Sequence, residues 1–436
     1  MRILQNIVLL SDEFLYNYGI ISHYLEGGYQ NMDALDILTD LDNVIPFFQA
    51  IFSADEHTVI GYEILGRYQI NGSFESLGPF FMDEEIPEEY KQEVDNVVLT
   101  KALDKALELD KDVMLFINRD AGLLMQDDGE SFLQMLLSYE EKGMALNRIV
   151  LEISERNYKG QSDHLDHLLV YYRTYGIKIA IDKMGNDSSY LDRIGELAPD
   201  IFKIDLSALR STSTSHTYQN VLYSLSMLAR KIGATLLFEN IEMVYQLQFA
   251  WKNGGRFYQG YYLHYPEEQF VDRKLQKEMI RKEFHEFISY EKKKLSVIFE
   301  FTENLQINIQ ELLGRHKKYN DYEELLKCLS DDLSNVAFRM YVCDEDGFQK
   351  SDNIFKENSH WVLQPEYKDK NWSWRPYFLE NIIKMRNEKK GILSDLYSDI
   401  ETGETVRTYS FPLNNQDYLF IDLSYNFLDR MGVLIN

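Results

Sequence analysis

Cysteine, positive charge and long apolar runs are all scarce in this chain. It has two cysteines, Cys328 and Cys343, in 436 residues. Two thiols are too few for a zinc ligand set or a disulfide framework. One bridge between them stays open, and a reduced, cytosolic chain is the simpler reading. Lys and Arg number 45 against 71 Asp and Glu, a formal charge of −26. That balance opposes loose binding to nucleic-acid backbones or anionic membranes, both of which call for a basic footprint. A small anionic ligand held by a few local cations and a bound metal remains compatible with it. Between Met1 and Gln30 the one apolar piece, Ile7-Val8-Leu9-Leu10, is broken at once by Ser11-Asp12-Glu13. It is too short and too acidic for a signal peptide or a membrane span, and nothing similar follows. The expectation is a cytoplasmic protein with neither nucleic acid nor membrane as partner. Met32 is an alternative start, which would make residues 1–31 an extension.

What is present points to a folded, two-domain molecule. Hydrophobic residues make up 45% and aromatics 14%, a globular composition, and the length exceeds one ordinary core. From about residue 45, short β-branched runs alternate with amphipathic stretches such as Val98 to Leu109 and Val221 to Ile232. The runs are Ile45 to Phe52, Thr58 to Tyr62, Val113 to Ile117, Arg148 to Leu151, Ile177 to Ile181, Ile201 to Ile204, Ala234 to Phe238 and Phe257 to Tyr261. Repeated strand-then-helix units with strands apolar on both faces imply a parallel sheet. So many units fit a closed, TIM-like (β/α)8 barrel better than an open doubly wound sheet, since no Gly-rich phosphate loop follows the first strand.

The chemistry sits at the ends of those runs. Glu63 closes one with Arg67 four residues on; Asn118, Glu152, Asp182 and Glu239 close others, and Lys203 and Gln259 lie within theirs. In a parallel barrel the C-terminal strand ends converge on one face. Any one of these residues alone reads as a strand-terminal group meeting solvent; five or six in register do not. Hard oxygen donors without Cys suit Mg²⁺, Mn²⁺ or Ca²⁺. Such a site polarises phosphoryl oxygens and activates water, with Lys203 and Arg67 offsetting phosphate charge and Glu239 as general base. His164 and His167, three apart on an expected helix, read as an exposed polar face. The many aromatics read mostly as core packing.

These residues carry a resemblance. Glu63-Ile64-Leu65-Gly66-Arg67 resembles the Glu-Ala-Leu-x-Arg motif of bacterial EAL-domain cyclic di-GMP phosphodiesterases. Leu151 to Glu155, Phe202 to Asp205, Glu239 to Glu242, and Gln259-Gly260-Tyr261 with Pro266 are similar to further motifs of that family. The likeness covers about residues 40 to 268. It implies a barrel that binds cyclic di-GMP and hydrolyses one phosphodiester to pGpG with Mg²⁺ or Mn²⁺, a site that Ca²⁺ can also occupy. By resemblance, Glu63, Asn118, Glu152 and Asp182 match metal ligands and Gln259 a metal- or water-proximal amide. Lys203 matches the lysine near the attacking water and Glu239 the base. Gln49, Leu65, Arg67 and Glu242 match ligand-contacting positions, and Glu155 the glutamate that steadies the loop after Asp182.

The departures bear on activity. Asp182-Lys183-Met184-Gly185 stands where the family has Asp-Asp-Phe-Gly, so a lysine replaces the Asp that helps hold a second metal. The next loop, Asn186 to Leu191, loses the family's Thr-Gly-Tyr start; Asn240 replaces a Gly and Arg256 an Asp. An ammonium beside these carboxylates competes with a second dication. The expectation is a one-metal site that hydrolyses weakly. The alternatives are an inactive cyclic di-GMP receptor and a Lys183 that points to solvent and leaves the chemistry intact.

From Glu267 to Leu313 there is no Gly or Pro, and Ile288, Leu295, Ile298, Leu305, Ile309 and Leu312 recur at three-four spacing. This predicts one or two long helices with a coiled-coil-like seam, closed on its own domain or on a second copy, and ended by Gly314. Beyond it, strands near Val336 to Val342, Thr405 to Phe411 and Tyr418 to Leu423 suggest an α+β, PAS- or Cache-like sensory domain. Trp372, Trp374, Arg375, Tyr377 and Asp399 resemble the set with which Cache-like pockets hold a small ligand; the other reading is core aromatics with Arg375 paired to Asp395 or Asp399. The expected divisions are 1–39 extension, 40–268 barrel, 269–315 helical linker and 316–436 sensory domain, in a homodimer.

Overall fold

The computed structural model describes residues 34–154, 162–181, 197–209, 216–375, 378–399 and 401–433. The chain divides after Phe284 into two compact units.

The first unit holds β1 (Val44–Ser53), β2 (Val59–Ile70), β3 (Ser73–Ser76), β4 (Met114–Asp120), β5 (Ile149–Ser154), β6 (Lys178–Ile181), β7 (Ile201–Asp205), β8 (Thr235–Glu239) and β9 (Phe257–Tyr258). They run in the order β1-β9-β8-β7-β6-β5-β4-β2-β3, and β1 bonds back to β2, closing an eight-stranded barrel with β3 outside the ring. From β2 to β9 neighbouring strands in the ring are parallel. The expected barrel is therefore present, with one difference: β1 is antiparallel to both its neighbours. Only Ala54 to Thr58 joins β1 to β2, enough for a hairpin and far too short for the crossover a parallel pair needs.

Helices occupy the crossovers among the described residues. The helix Glu88–Ala106 starts at Pro87 with Glu88 and Glu89 in its first turn, and buries Val94, Val98, Leu99, Ala102, Leu103 and Ala106. Its apolar stripe follows helical spacing, and the acidic first turn suits the helix dipole. On the helix Ser162–Thr174, His164 and His167 are exposed while Leu165, Leu168 and Leu169 are buried.

Inside the barrel, Ile51, Phe116, Val150, Ala180, Ile201, Leu237 and Phe257 pack into one apolar layer. Because strand side chains alternate, residues two positions from these form the next inward-facing layer. That layer contains Gln49, Asn118, Glu152, Lys203, Glu239 and Gln259. On β2 the register slips opposite Ile51 and Phe52. This bulge shifts the alternation by one residue, so Ile60 packs on the apolar layer while Glu63 sits opposite Gln49.

The second unit is built on an antiparallel sheet, unlike the first. Its strands are β10 (Ala337–Asp344), β11 (Asn353–Glu357), β12 (His360–Gln364), β13 (Ile392–Leu393), β14 (Tyr397–Ser398), β15 (Thr405–Pro412) and β16 (Asp417–Leu423). The order is β12-β11-β10-β16-β15-β13, with β14 on β15. A single helix, Lys277–Arg315, runs into this unit. Its Phe301, Leu305, Ile309 and Leu312 pack with Leu325, Leu326 and Leu329 of the helix Tyr322–Asp332 against Met340, Val342, Leu419 and Ile421. Much of the predicted seam thus closes on its own domain, while Ile288 and Leu295 are exposed. Gly314 lies within the last turn rather than ending the helix. Both cysteines are free thiols, and among the described residues no helix is long and apolar enough to cross a membrane.

The other sheet face carries Tyr341, Cys343, Tyr418 and Phe420 under Phe378, Ile382 and Met385. Beside them lies a buried charge cluster. Arg339 donates to Asp422 (2.6 Å), Asp399 (2.5 Å) and Glu401 (2.9 Å). Burial works against the Asp399 carboxylate, but the Arg339 guanidinium and the Thr402 donors outweigh it and hold its pKa below the usual range. Removing one partner of such a group leaves the others buried without compensation, at about 3–5 kcal/mol. Arg339→Met should therefore destabilise the second unit by about that amount in urea titrations. A depressed carboxylate pKa contributes stability that is complete above the unfolded value, about 3.9. It is lost as pH falls through the folded value. Wild type should weaken steeply below about pH 4 and Arg339→Met less so; a loss under about 1 kcal/mol with an unchanged acid profile would count against the cluster as a stabilising element.

Candidate functional site

Above the apolar layer of the barrel, one ammonium gathers three carboxylates. Lys203 Nζ lies 2.8 Å from Glu152 Oε2, 3.2 Å from Glu239 Oε2 and 3.3 Å from Glu63 Oε2. Lys203 and Glu152 are each 1% exposed. Asn118 donates to Glu63 Oε1 at 2.8 Å, and Gln259 Nε2 donates to Glu63 Oε2 at 2.6 Å and to Gln49 Oε1 at 3.1 Å. Burial pushes the Glu63 pKa up, but the Lys203 charge and the Gln259 and Asn118 donors more than reverse this, so its carboxyl lies below the usual range.

The strands dictate this convergence. Gln49 faces Glu63 across β1 and β2, and Asn118 faces Glu152 across β4 and β5. Glu239 is the last residue of β8, and Gln259 follows β9 directly. The next residue must be glycine: Gly260 has φ +154°, and a Cβ there would lie 2.2 Å from the Ile241 carbonyl oxygen. Asn240 adopts φ +56°, a left-handed conformation that Asn tolerates better than most residues. Its amide donates to Asp205 Oδ1 at 2.9 Å, joining the ends of β7 and β8.

Other expected residues lie farther out. Leu65 and Arg67 follow Glu63 on the same face of β2 and are half-buried. The Arg67 guanidinium lies 5.6 Å from the Phe47 ring centroid and donates to the Gly66 carbonyl. Glu242 is exposed on the loop after β8. Asp182, Lys183 and Glu155 lie outside the described residues. Gln246 was not among the expected residues. Fully buried, it accepts from the backbone N–H groups of Glu242 and Met243 and donates to the Leu206 carbonyl, bracing two loops of the site. In sequence it is an ordinary helical polar residue; only its burial marks it.

The donor set fits a hard divalent cation. Three carboxylates meet one ammonium, an excess of negative charge in a buried place, and Gln259 Oε1 is buried with no hydrogen-bond partner among the described residues. Among those residues the carboxylates are drawn onto Lys203, and no three of them form a metal-sized group by themselves.

The EAL-domain model matches residues 32–266, over half of the chain. The chain belongs to the EAL-domain family. A second model, the EAL-domain associated signalling protein domain, matches residues 270–435. The chain is 54% identical over 406 residues to the EAL-domain containing protein YkuI of Bacillus subtilis, covering 93% of this chain and 100% of that protein. A crystal structure of the Bacillus subtilis YkuI protein, in complex with substrate cyclic di-GMP and calcium, matches with a TM-score of 0.88 at 53% identity, over 93% of this chain and 100% of that one. PdeG of Escherichia coli, described as a probable cyclic di-GMP phosphodiesterase, is 26% identical over 230 residues, 51% of this chain and 44% of that protein. The EAL motif of the family is the segment that carries Glu63 into the cluster.

The expected sensor set in the second unit is not assembled as foreseen. Asp399 is committed to Arg339 and the Thr402 hydroxyl, not to Arg375. Arg375 lies over the rings of Trp372 (4.5 Å) and Trp374 (5.9 Å) and donates to the Tyr341 hydroxyl at 3.4 Å. Trp374 is 63% exposed, and Tyr377 lies outside the described residues. Asp399, just after β14, is held instead by Arg339 of β10, whose second buried partner, Asp422, lies on the adjoining strand β16.

Removing the central ammonium tests the charge balance of the EAL site. Without metal, Lys203→Met should cost about 3–5 kcal/mol, as three buried carboxylates lose their counter-ion. Mn²⁺ or Ca²⁺ should restore part of that loss in thermal melts, with a larger rise than in wild type. A variant as stable as wild type, and indifferent to metal, would overturn this reading.

Proposed function

We propose that the chain binds cyclic di-GMP at the barrel mouth together with a divalent metal, and hydrolyses one phosphodiester to pGpG weakly. The observation that carries this is the convergence of Glu63, Glu152, Glu239, Asn118 and Gln259 around Lys203. The family membership supports it, as do YkuI's described substrate and calcium.

Glu63, Asn118, Glu152 and Asp182 would hold Mg²⁺, Mn²⁺ or Ca²⁺, with Gln259 Oε1 beside them. When bound, the metal supplies polarisation of a phosphoryl oxygen and a more acidic water. With a cation held there, Glu63, Glu152 and Glu239 would share their charge between it and Lys203, whose ammonium would face the anionic phosphate and the attacking water. Glu239 accepts the water's proton on a carboxylate oxygen. Leu65 and Arg67, on the same face of β2 as Glu63, and Gln49 and Glu242 contact the nucleotide, with Arg67 against phosphate. Glu155 steadies the loop that follows Asp182.

Lys183 is the reason to expect slow turnover, since it brings positive charge to a position where the family's second Asp helps hold a metal. The same residue favours a second reading, a cyclic di-GMP receptor that binds without hydrolysis and signals through the second unit, in a homodimer. A small ligand of that unit remains part of this proposal.

Calorimetric titration of the full chain with cyclic di-GMP, with product analysis on the same sample in Mn²⁺, separates these readings. Saturable binding with slow pGpG release supports the enzyme, and binding without product supports the receptor. Absence of binding removes both. Glu239→Gln should lower turnover by about 10²–10⁴-fold with binding retained, and Lys183→Asp should raise it. Full wild-type activity with no gain in Lys183→Asp would sink the one-metal explanation.

A further inference from the structure

The opposite end of the barrel carries a cleft that the reaction does not use. It lies where the β1–β2 turn, the segment entering β4 and the start of the helix Lys277–Arg315 meet, and encloses about 690 Å³. Acidic and basic side chains both line it, but their partners differ. Asp55 is paired with Arg256 at 2.8 Å, and Arg273 holds Asp110 at 3.1 Å and Asp112 at 2.8 Å. Lys274, Lys277 and Arg281 also line the cleft, and among the described residues none of the three makes an ion pair within 4.0 Å. Glu56 is the remaining carboxylate of the lining, and it accepts a hydrogen bond from the Thr58 hydroxyl.

Three unpaired cations around one cavity are unusual in a chain with a net charge of −26. Like charges held together cost free energy unless an anion offsets them. The local field acts on His57, which lines the same cleft at φ +57° with its ring edge-on to Phe284, 5.1 Å between centroids. Burial and the nearby Lys277 and Arg281 charges lower its pKa.

We infer that this cleft, at the base of the barrel, is a binding site for a small soluble anion bearing phosphate, held by Lys274, Lys277 and Arg281. A phosphate group matches them in charge and in acceptor number. The strong negative charge of the whole chain works against a lipid surface or a nucleic-acid backbone as the source of that phosphate. The site is separate from the Lys203 cluster, which occupies the other end of the strands, and does not depend on the function proposed for that cluster.

The test is calorimetric titration of the full chain with inorganic pyrophosphate, at constant ionic strength and without divalent metal. Saturable binding to one site is expected in wild type, weakened about tenfold or more in Lys277→Gln/Arg281→Gln. Both residues are partly or fully solvent-exposed, so the variant should keep the wild-type melting temperature. In wild type, pyrophosphate should move the His57 ring titration, followed by NMR, upward toward the ordinary value. Absence of saturable binding, equal affinity in the double variant, or competition by cyclic di-GMP would each overturn the assignment.

Discussion

One buried ammonium governs the barrel's chemistry. Lys203 stands within 3.3 Å of three carboxylates that come from β2, β5 and β8. Three like charges at that depth repel one another and each loses hydration, so the cluster holds only with a cation at its centre. Its geometry then follows from the barrel's own alternation. An apolar layer fills the lower interior, and the next inward-facing layer has to be the polar one. The surplus of negative charge makes the same cluster a competent host for a divalent ion, because a metal answers the deficit that one lysine leaves.

The second unit solves a similar problem without the same chemical capacity. Arg339 gathers Asp399, Asp422 and Glu401 on an antiparallel sheet, and its rigid fork satisfies several acceptors at once. A guanidinium does not give up its proton and does not yield easily to a metal. Lysine in the barrel is a compact point charge that can reorganise, which suits the metal- and phosphate-binding role proposed for this site.

Residues at the ends of apolar runs are legible in the sequence itself. Asn118, Glu152 and Glu239 interrupt β-branched stretches, and that interruption marks where the barrel interior turns from apolar to polar. Glu63 and Arg67 were legible as a motif, yet only Glu63 enters the charge cluster, while Arg67 lies farther along β2 over Phe47. Gln246 was invisible because nothing local distinguishes a buried glutamine from a solvated one. The pairing of Asp399 was hidden for a related reason: its partner, Arg339, lies on β10, 60 residues away in sequence and not next to β14 in the sheet.

Period and composition thus pointed to the barrel, to a long helical stretch and to an α+β second domain, since alternating and helical patterns are local properties of a chain. They also determined which side chains crowd the strand ends. Tertiary structure alone decided that β1 runs against its neighbours, that a bulge at Ile60 brings Glu63 inward, and that Lys203 is the common partner of Glu63, Glu152 and Glu239. It also set the unpaired cations at the barrel's base against one cavity. Charge compensation is a long-range, many-body balance, and no window of sequence contains all the groups that enter it.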